Sequence, residues 1–103
     1  GGLWPAMKII DICEAHGIGV SLDTMPFTVL GDTMLCHLGA TLRTDYPLDA
    51  EGHTFFKETP FIGGITLEGG RVRISDEPGF GISVDEARLR AMTEGQDHLV
   101  PAR

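Results

Sequence analysis

At 103 residues and a formal charge of -7, the chain has the length of one small domain, a size at which burial is only moderately efficient. The acidic balance excludes a phosphate-tracking nucleic-acid binder and a binder of anionic membranes, because both need a basic surface. No stretch approaches the ~20 apolar residues that span a bilayer, and no basic region precedes an apolar block as in a secretory leader, so a cytoplasmic location is expected. Cys13 and Cys36 fall among apolar residues on helical patterns. They read as small core hydrophobes in a reducing compartment, not as a disulfide.

In chain order, Leu3, Met7, Ile10 and Cys13 recur at helical spacing, with Ala6 and Ile9 beside them. Pro5 suits a first helical turn and Gly17 a left-handed stop, so a helix is predicted from about Trp4 to His16. "IGVSL" follows after a short connection and is apolar at nearly every position, as in a strand covered on both faces. Val29, Leu30, Met34, Leu35 and Leu38 carry a second helix from Thr28 to near Leu42, with Gly31 and Gly39 allowing close approach of a neighbour. "TDYPLDAEGH" is a weaker strand pattern, because Pro47 fits only its start or an edge.

"ITLEGGRVRIS" predicts a hairpin with Gly69-Gly70 as its two-residue turn. Pairing Glu68 with Arg71 puts Leu67 opposite Val72 and Ile65 opposite Ile74, leaving Thr66, Glu68, Arg71 and Arg73 on a wet face. "SVDE" reads as a capping box, Ser83 the N-cap and Glu86 at the third helical position, opening a helix through about Met92. Residues 93–103 show no period and are expected to form a mobile tail. Helix, strand, helix, strand, hairpin and helix make an α/β unit with a parallel sheet. Two parallel strands cannot cover both their faces, so the sheet is incomplete as written and the chain is expected to lack an N-terminal part.

Three motifs in this order resemble a known family. "GGLWPAMKIIDICEAHGIGV" is similar to the Gly-Gly, Lys-Ile, Ala-Glu-Ala-x-Gly helix that follows barrel strand six of enolase-superfamily enzymes of the mandelate racemase and muconate lactonizing type. "CHLGATL" resembles their His-Leu-Ala-Ala helix, and "DEPGFGISVDEARL" the Pro-Gly-Leu-Gly segment that closes the domain. The resemblance implies residues 1–92 as the C-terminal portion of a modified (β/α) TIM-type barrel, ending in a β-hairpin and a short helix. It also implies an enzyme that abstracts a proton α to a carboxylate through an enediolate. The reaction would be that of a racemase or epimerase, a cycloisomerase or a dehydratase. Such an α-proton is too weakly acidic for a side-chain base unless the developing oxyanion is stabilised, which the family does with Mg²⁺. The Mg²⁺ ligands and the Lys-x-Lys base are expected upstream of this chain, so the isolated chain is expected to be inactive. The partners implied are a small carboxylate substrate and, in the full-length protein, further copies of itself.

Residues at the C-terminal ends of barrel strands are read as catalytic before structural. By resemblance these are Asp23, after strand seven, and Asp49, after strand eight; Asp23 stands where the racemase branch carries a His. Thr24, Met25, Phe27 and Glu51 are the expected substrate-binding residues. Each has a plainer reading beside the functional one: Asp23 as a loop carboxylate satisfying backbone groups, Thr24 and Met25 as loop packing, Phe27 as core. Asp49, Glu51 and His53 alternate and could hold a cation if extended, but Gly52 disfavours a regular strand and a solvated loop is the simpler account. His37 reads as a structural histidine, and His16 as a helix C-terminal residue meeting the negative dipole end. Two other classes stay open: a non-catalytic half-barrel that associates through its bare edges, and a degenerate family member without activity.

Overall fold

The computed structural model describes residues 1–25 and 27–93. Helix α1 spans Leu3–Ala15, with Pro5 in its first turn, where the missing N–H costs no intrahelical bond. Gly17 at φ 66 terminates it: the Ile18 N–H donates to the Cys13 carbonyl at 2.9 Å and the Gly17 N–H to that of Glu14 at 3.0 Å, a Schellman closure. His16 Nδ1 lies 2.8 Å from the Ile12 carbonyl oxygen, in keeping with its place at the helix end.

Helix α2 spans Val29–Gly39 and buries Val29, Asp32, Thr33, Cys36 and Leu38. Its expected end near Leu42 is a further turn, in which Thr41 and Leu42 donate to the carbonyls of Leu38 and Gly39. Gly39 faces Leu48 and Leu22; a Cβ there would stand 3.3 and 3.6 Å from their methyl groups. α2 therefore packs across both extended segments, with Val29, Cys36, Ala50 and Ile65 at the centre of the core and Leu48, Phe61, Val72 and Ile74 around it.

The two segments read as parallel strands do not form a ladder among the described residues. They run extended side by side and share one backbone bond, Asp49 N–H to the Leu22 carbonyl at 3.3 Å. Pro47 has no N–H to offer, and a lone strand pair is marginal in water. Residues 52–55 then close into a 3₁₀ turn, which takes the last two residues of the weaker strand pattern and agrees with Gly52 disfavouring a regular strand.

Beyond it lie two antiparallel pairs. β1 (Phe61–Gly63) pairs with β4 (Ile82–Val84), and β2 (Thr66–Glu68) with β3 (Arg71–Arg73). The hairpin has the expected register, Leu67 opposite Val72 and Glu68 opposite Arg71. Gly69 and Gly70, at φ 56 and 74, supply the two left-handed residues that such a turn needs. Helix α3, Glu86–Met92, follows. Its N-cap corrects the sequence reading: the Asp85 carboxylate accepts from the Arg88 N–H at 2.9 Å, while Ser83 is paired with Ile62 in β4. Asp85 offers the same kind of acceptor two residues later, and the β1–β4 pairing takes up Ser83 first. Most of the expected tail, residues 94–103, lies outside the described residues. No helix among the described residues is long and apolar enough to cross a membrane.

Both cysteines are free thiols. Burial, and then the carboxylate of Asp32 one turn earlier, pushes the Cys36 thiol up to about 11. The folded state thus holds this proton more tightly than the unfolded chain does. Its stabilising contribution is complete below the ordinary value of 9.0 and is lost as pH rises from there through about 11. Cys36→Ala is expected to flatten this alkaline loss of stability, measured as urea midpoints between these limits, and iodoacetamide at neutral pH is expected to alkylate Cys13 well before Cys36.

Candidate functional site

An extended chain alternates its side chains, and residues 22–25 do so: Leu22 and Thr24 are half-buried, whereas Asp23 and Met25 are exposed. The half-buried side leads to the first contact of the site. Thr24 Oγ1 donates to Asp49 Oδ1 at 3.2 Å, joining the ends of the two extended segments. Asp49 is half-buried and Glu51 exposed; both line a cavity of about 240 Å³ whose other wall is Leu67, Arg71 and Val72 of the hairpin. Asp23 is exposed and makes no hydrogen bond or ion pair among the described residues. Phe27 rests its Cβ over Gly31 in the first turn of α2, 2.8 Å from where a Cβ of that glycine would stand. Its ring stays partly exposed.

A second contact lies at the same end of the segments, and the sequence reading missed it. Asp32, in the first turn of α2, is fully buried. Its Oδ2 accepts both the backbone N–H and the ring Nδ1 of His53, each at 2.7 Å. Oδ1 is buried and has no partner. The positive end of the helix dipole and the two donors of His53 offset the cost of burying this carboxylate. Gly52 makes the approach possible, because its α-carbon faces the Met25 carbonyl, the Phe27 N–H and Asp32 Oδ1. The available signal was an acid at a position of α2 that the apolar neighbours mark as inward, with no basic residue at helical spacing to meet it.

The alternation that could have placed Asp49, Glu51 and His53 on one cation is broken by the 3₁₀ turn: His53 goes to Asp32 and Asp49 to Thr24. Among the described residues no group of three or more His, Cys, Asp or Glu side chains could hold a metal ion. The described residues do not fit a Mg²⁺ site. His37 sets its ring edge-on to Phe80 at 5.3 Å, with Nε2 buried and unpartnered, a packing role in place of the hydrogen bond expected of a structural histidine.

Residues 1–88 match the family described as Enolase C-terminal domain-like. The chain is 34% identical over 82 residues to the L-Ala-D/L-Glu epimerase of Bacillus subtilis, covering 80% of this chain and 22% of that protein. It is 26% identical over 89 residues to a probable glucarate dehydratase of Streptomyces coelicolor, covering 86% of this chain and 21% of that protein. Among solved structures, the muconate lactonizing enzyme of Pseudomonas putida is similar with a TM-score of 0.82 at 27% identity, over 88% of this chain and 26% of that one. The chain thus spans between a fifth and about a quarter of the length of these relatives. Coverage, order of elements and structural likeness agree that this chain belongs to the enolase superfamily, as a C-terminal part of a barrel of the mandelate racemase and muconate lactonizing type.

Proposed function

We propose that this chain is the C-terminal part of a longer enzyme that removes a proton α to a carboxylate and then epimerises, racemises, cyclises or dehydrates its substrate. Family membership supports the reaction class. The observation that carries the site is the Thr24–Asp49 bond, which ties the ends of two adjacent extended segments into one rim. Asp49 and Glu51 would take a polar or cationic group of the substrate, Thr24 holds Asp49 in place, and Met25 and Phe27 give the rim an apolar wall. Asp23, exposed at the same end, is free to meet a ligand directly. Mg²⁺ would be held by residues outside this chain and would stabilise the enediolate; the residues described here serve to bind and orient.

Deuterium exchange tests the reading. The full-length protein, supplied with Mg²⁺ and a panel of dipeptides, N-acylated amino acids and acid sugars, is expected to exchange a substrate α-proton with deuterated solvent. Residues 1–103 alone are expected to show none, and robust turnover by them would refute the division of labour. In the full-length enzyme Asp49→Asn is expected to raise KM about 10- to 100-fold, the loss of a hydrogen bond to a charged group. An unchanged KM and kcat would remove Asp49 from the site.

A further inference from the structure

We infer that Arg71 is a specificity-determining residue of this site, the group that meets a second, non-reacting carboxylate of the substrate; this rests on the reaction class proposed above. The hairpin register sets Glu68 opposite Arg71, a pairing that would neutralise both. The side chains do otherwise. Glu68 Oε2 lies 3.9 Å from Arg73 Nη2, and Arg71 makes no side-chain hydrogen bond or ion pair among the described residues. Arg71 instead lines the cavity of about 240 Å³ together with Asp49 and Glu51. Its neighbour Gly70, at φ 74, lines the same cavity and brings no side chain into it. An arginine that served the hairpin would pair with Glu68, as Arg73 does.

The cavity thus carries two acids on one wall and a guanidinium on the other, with Leu48, Ala50 and Val72 in the rest of its lining. Such a lining discriminates by charge, because specificity is a difference between attractive and repulsive contacts. A purely cationic group would satisfy Asp49 and Glu51 and be repelled by Arg71; a purely anionic group would meet the reverse. A ligand of both signs answers both walls, with an ammonium toward Asp49 and Glu51 and a carboxylate toward Arg71. The guanidinium fork suits that carboxylate, since its parallel N–H groups match both oxygens.

Pockets for drug-sized ligands begin at roughly 300 Å³. This cavity is smaller, so it takes one part of the substrate and not the reacting centre as well. The reacting carboxylate is left to the Mg²⁺ held outside this chain, and Arg71 meets a different one. The substrate class is then an amino-bearing dicarboxylate.

The test uses the full-length protein and two dipeptides alike but for one group, the residue that loses its α-proton being glutamate in one and glutamine in the other. The parent is expected to favour the glutamate dipeptide about 10-fold in kcat/KM, the lower end of what a hydrogen bond to a charged group contributes. Arg71→Gln is expected to abolish that preference through a raised KM for the glutamate dipeptide, and Arg71→Glu to reverse it. Arg73→Gln, two residues along the same strand, is expected to keep it. A parent-like preference in Arg71→Gln, or an equal loss in Arg73→Gln, would overturn the inference. Exchange by the parent without preference for glutamate, or only on substrates that lack an ammonium or a second carboxylate, would overturn it too and leave the functional reading standing. Absence of exchange with every substrate in the panel would overturn the functional reading itself, and the role of Arg71 with it.

Discussion

Gly52→Ala is expected to cost about 3 kcal/mol, at the upper end of what one added carbon does to a packed site. The new Cβ would overlap the Met25 carbonyl oxygen and stand 3.0 Å from the Phe27 N and 3.2 Å from Asp32 Oδ1. The first two are backbone atoms, so no change of rotamer relieves them. The segment 24–27 must move away from 49–53, and that movement pulls on the Thr24–Asp49 bond and on the Asp32–His53 contact together. Urea denaturation gives the stability change. A midpoint equal to that of the parent would show that the two segments do not pack face to face at Gly52. Gly70→Ala serves as the comparison: Gly70 is also constrained, at φ 74, but has open space around it. Strain alone there is expected to cost about 1 kcal/mol.

Asp32→Ala is expected to be comparably severe, at about 3 kcal/mol, since breaking a buried pair by removing one partner strands the other. The backbone N–H of His53 loses its acceptor, the ring loses its anchor, and the fully buried site is left with a void. Asp32→Asn retains the shape and one acceptor and is expected to cost about 1 kcal/mol. The ranking is checked by the midpoints of the three proteins side by side. Equal losses for Ala and Asn would assign the stabilisation to charge and not to the acceptor atom.

Local chemistry was legible in the sequence wherever the partners are close in the chain. Gly69-Gly70 dictated a hairpin register that the structure repeats, and Gly17 marked the end of α1 within a residue. Where partners come from afar, the same rules reached less. Parallel pairing of residues 18–22 with 44–53 needs further strands beside it, and Pro47 removes a donor, so extended segments sharing one bond replace the ladder. Ser83 satisfies a capping pattern, but Ile62, 21 residues earlier, takes it into β4.

The site divides in the same way. The resemblance names Thr24 as a substrate-binding and Asp49 as a catalytic residue without pairing them, and the structure joins the two by a hydrogen bond. Asp32 and His53 were not foreseen, because each has an ordinary local reading, an early-helix acid and a loop histidine. Only the depth of α2 turns them into a pair.

Helix α1 has a consequence of another kind. Ile10 is its buried residue, while Trp4, Ile9 and Ile12 stand 69%, 62% and 61% exposed. A helix anchored so lightly can open without disturbing the Val29–Cys36–Ala50–Ile65 core, so its free energy of local opening lies far below that of α2. α1 acquires rigidity from whatever apolar surface covers Trp4, Ile9 and Ile12. The backbone around Lys8, a tryptic site, then acts as a gauge of whether that cover is in place.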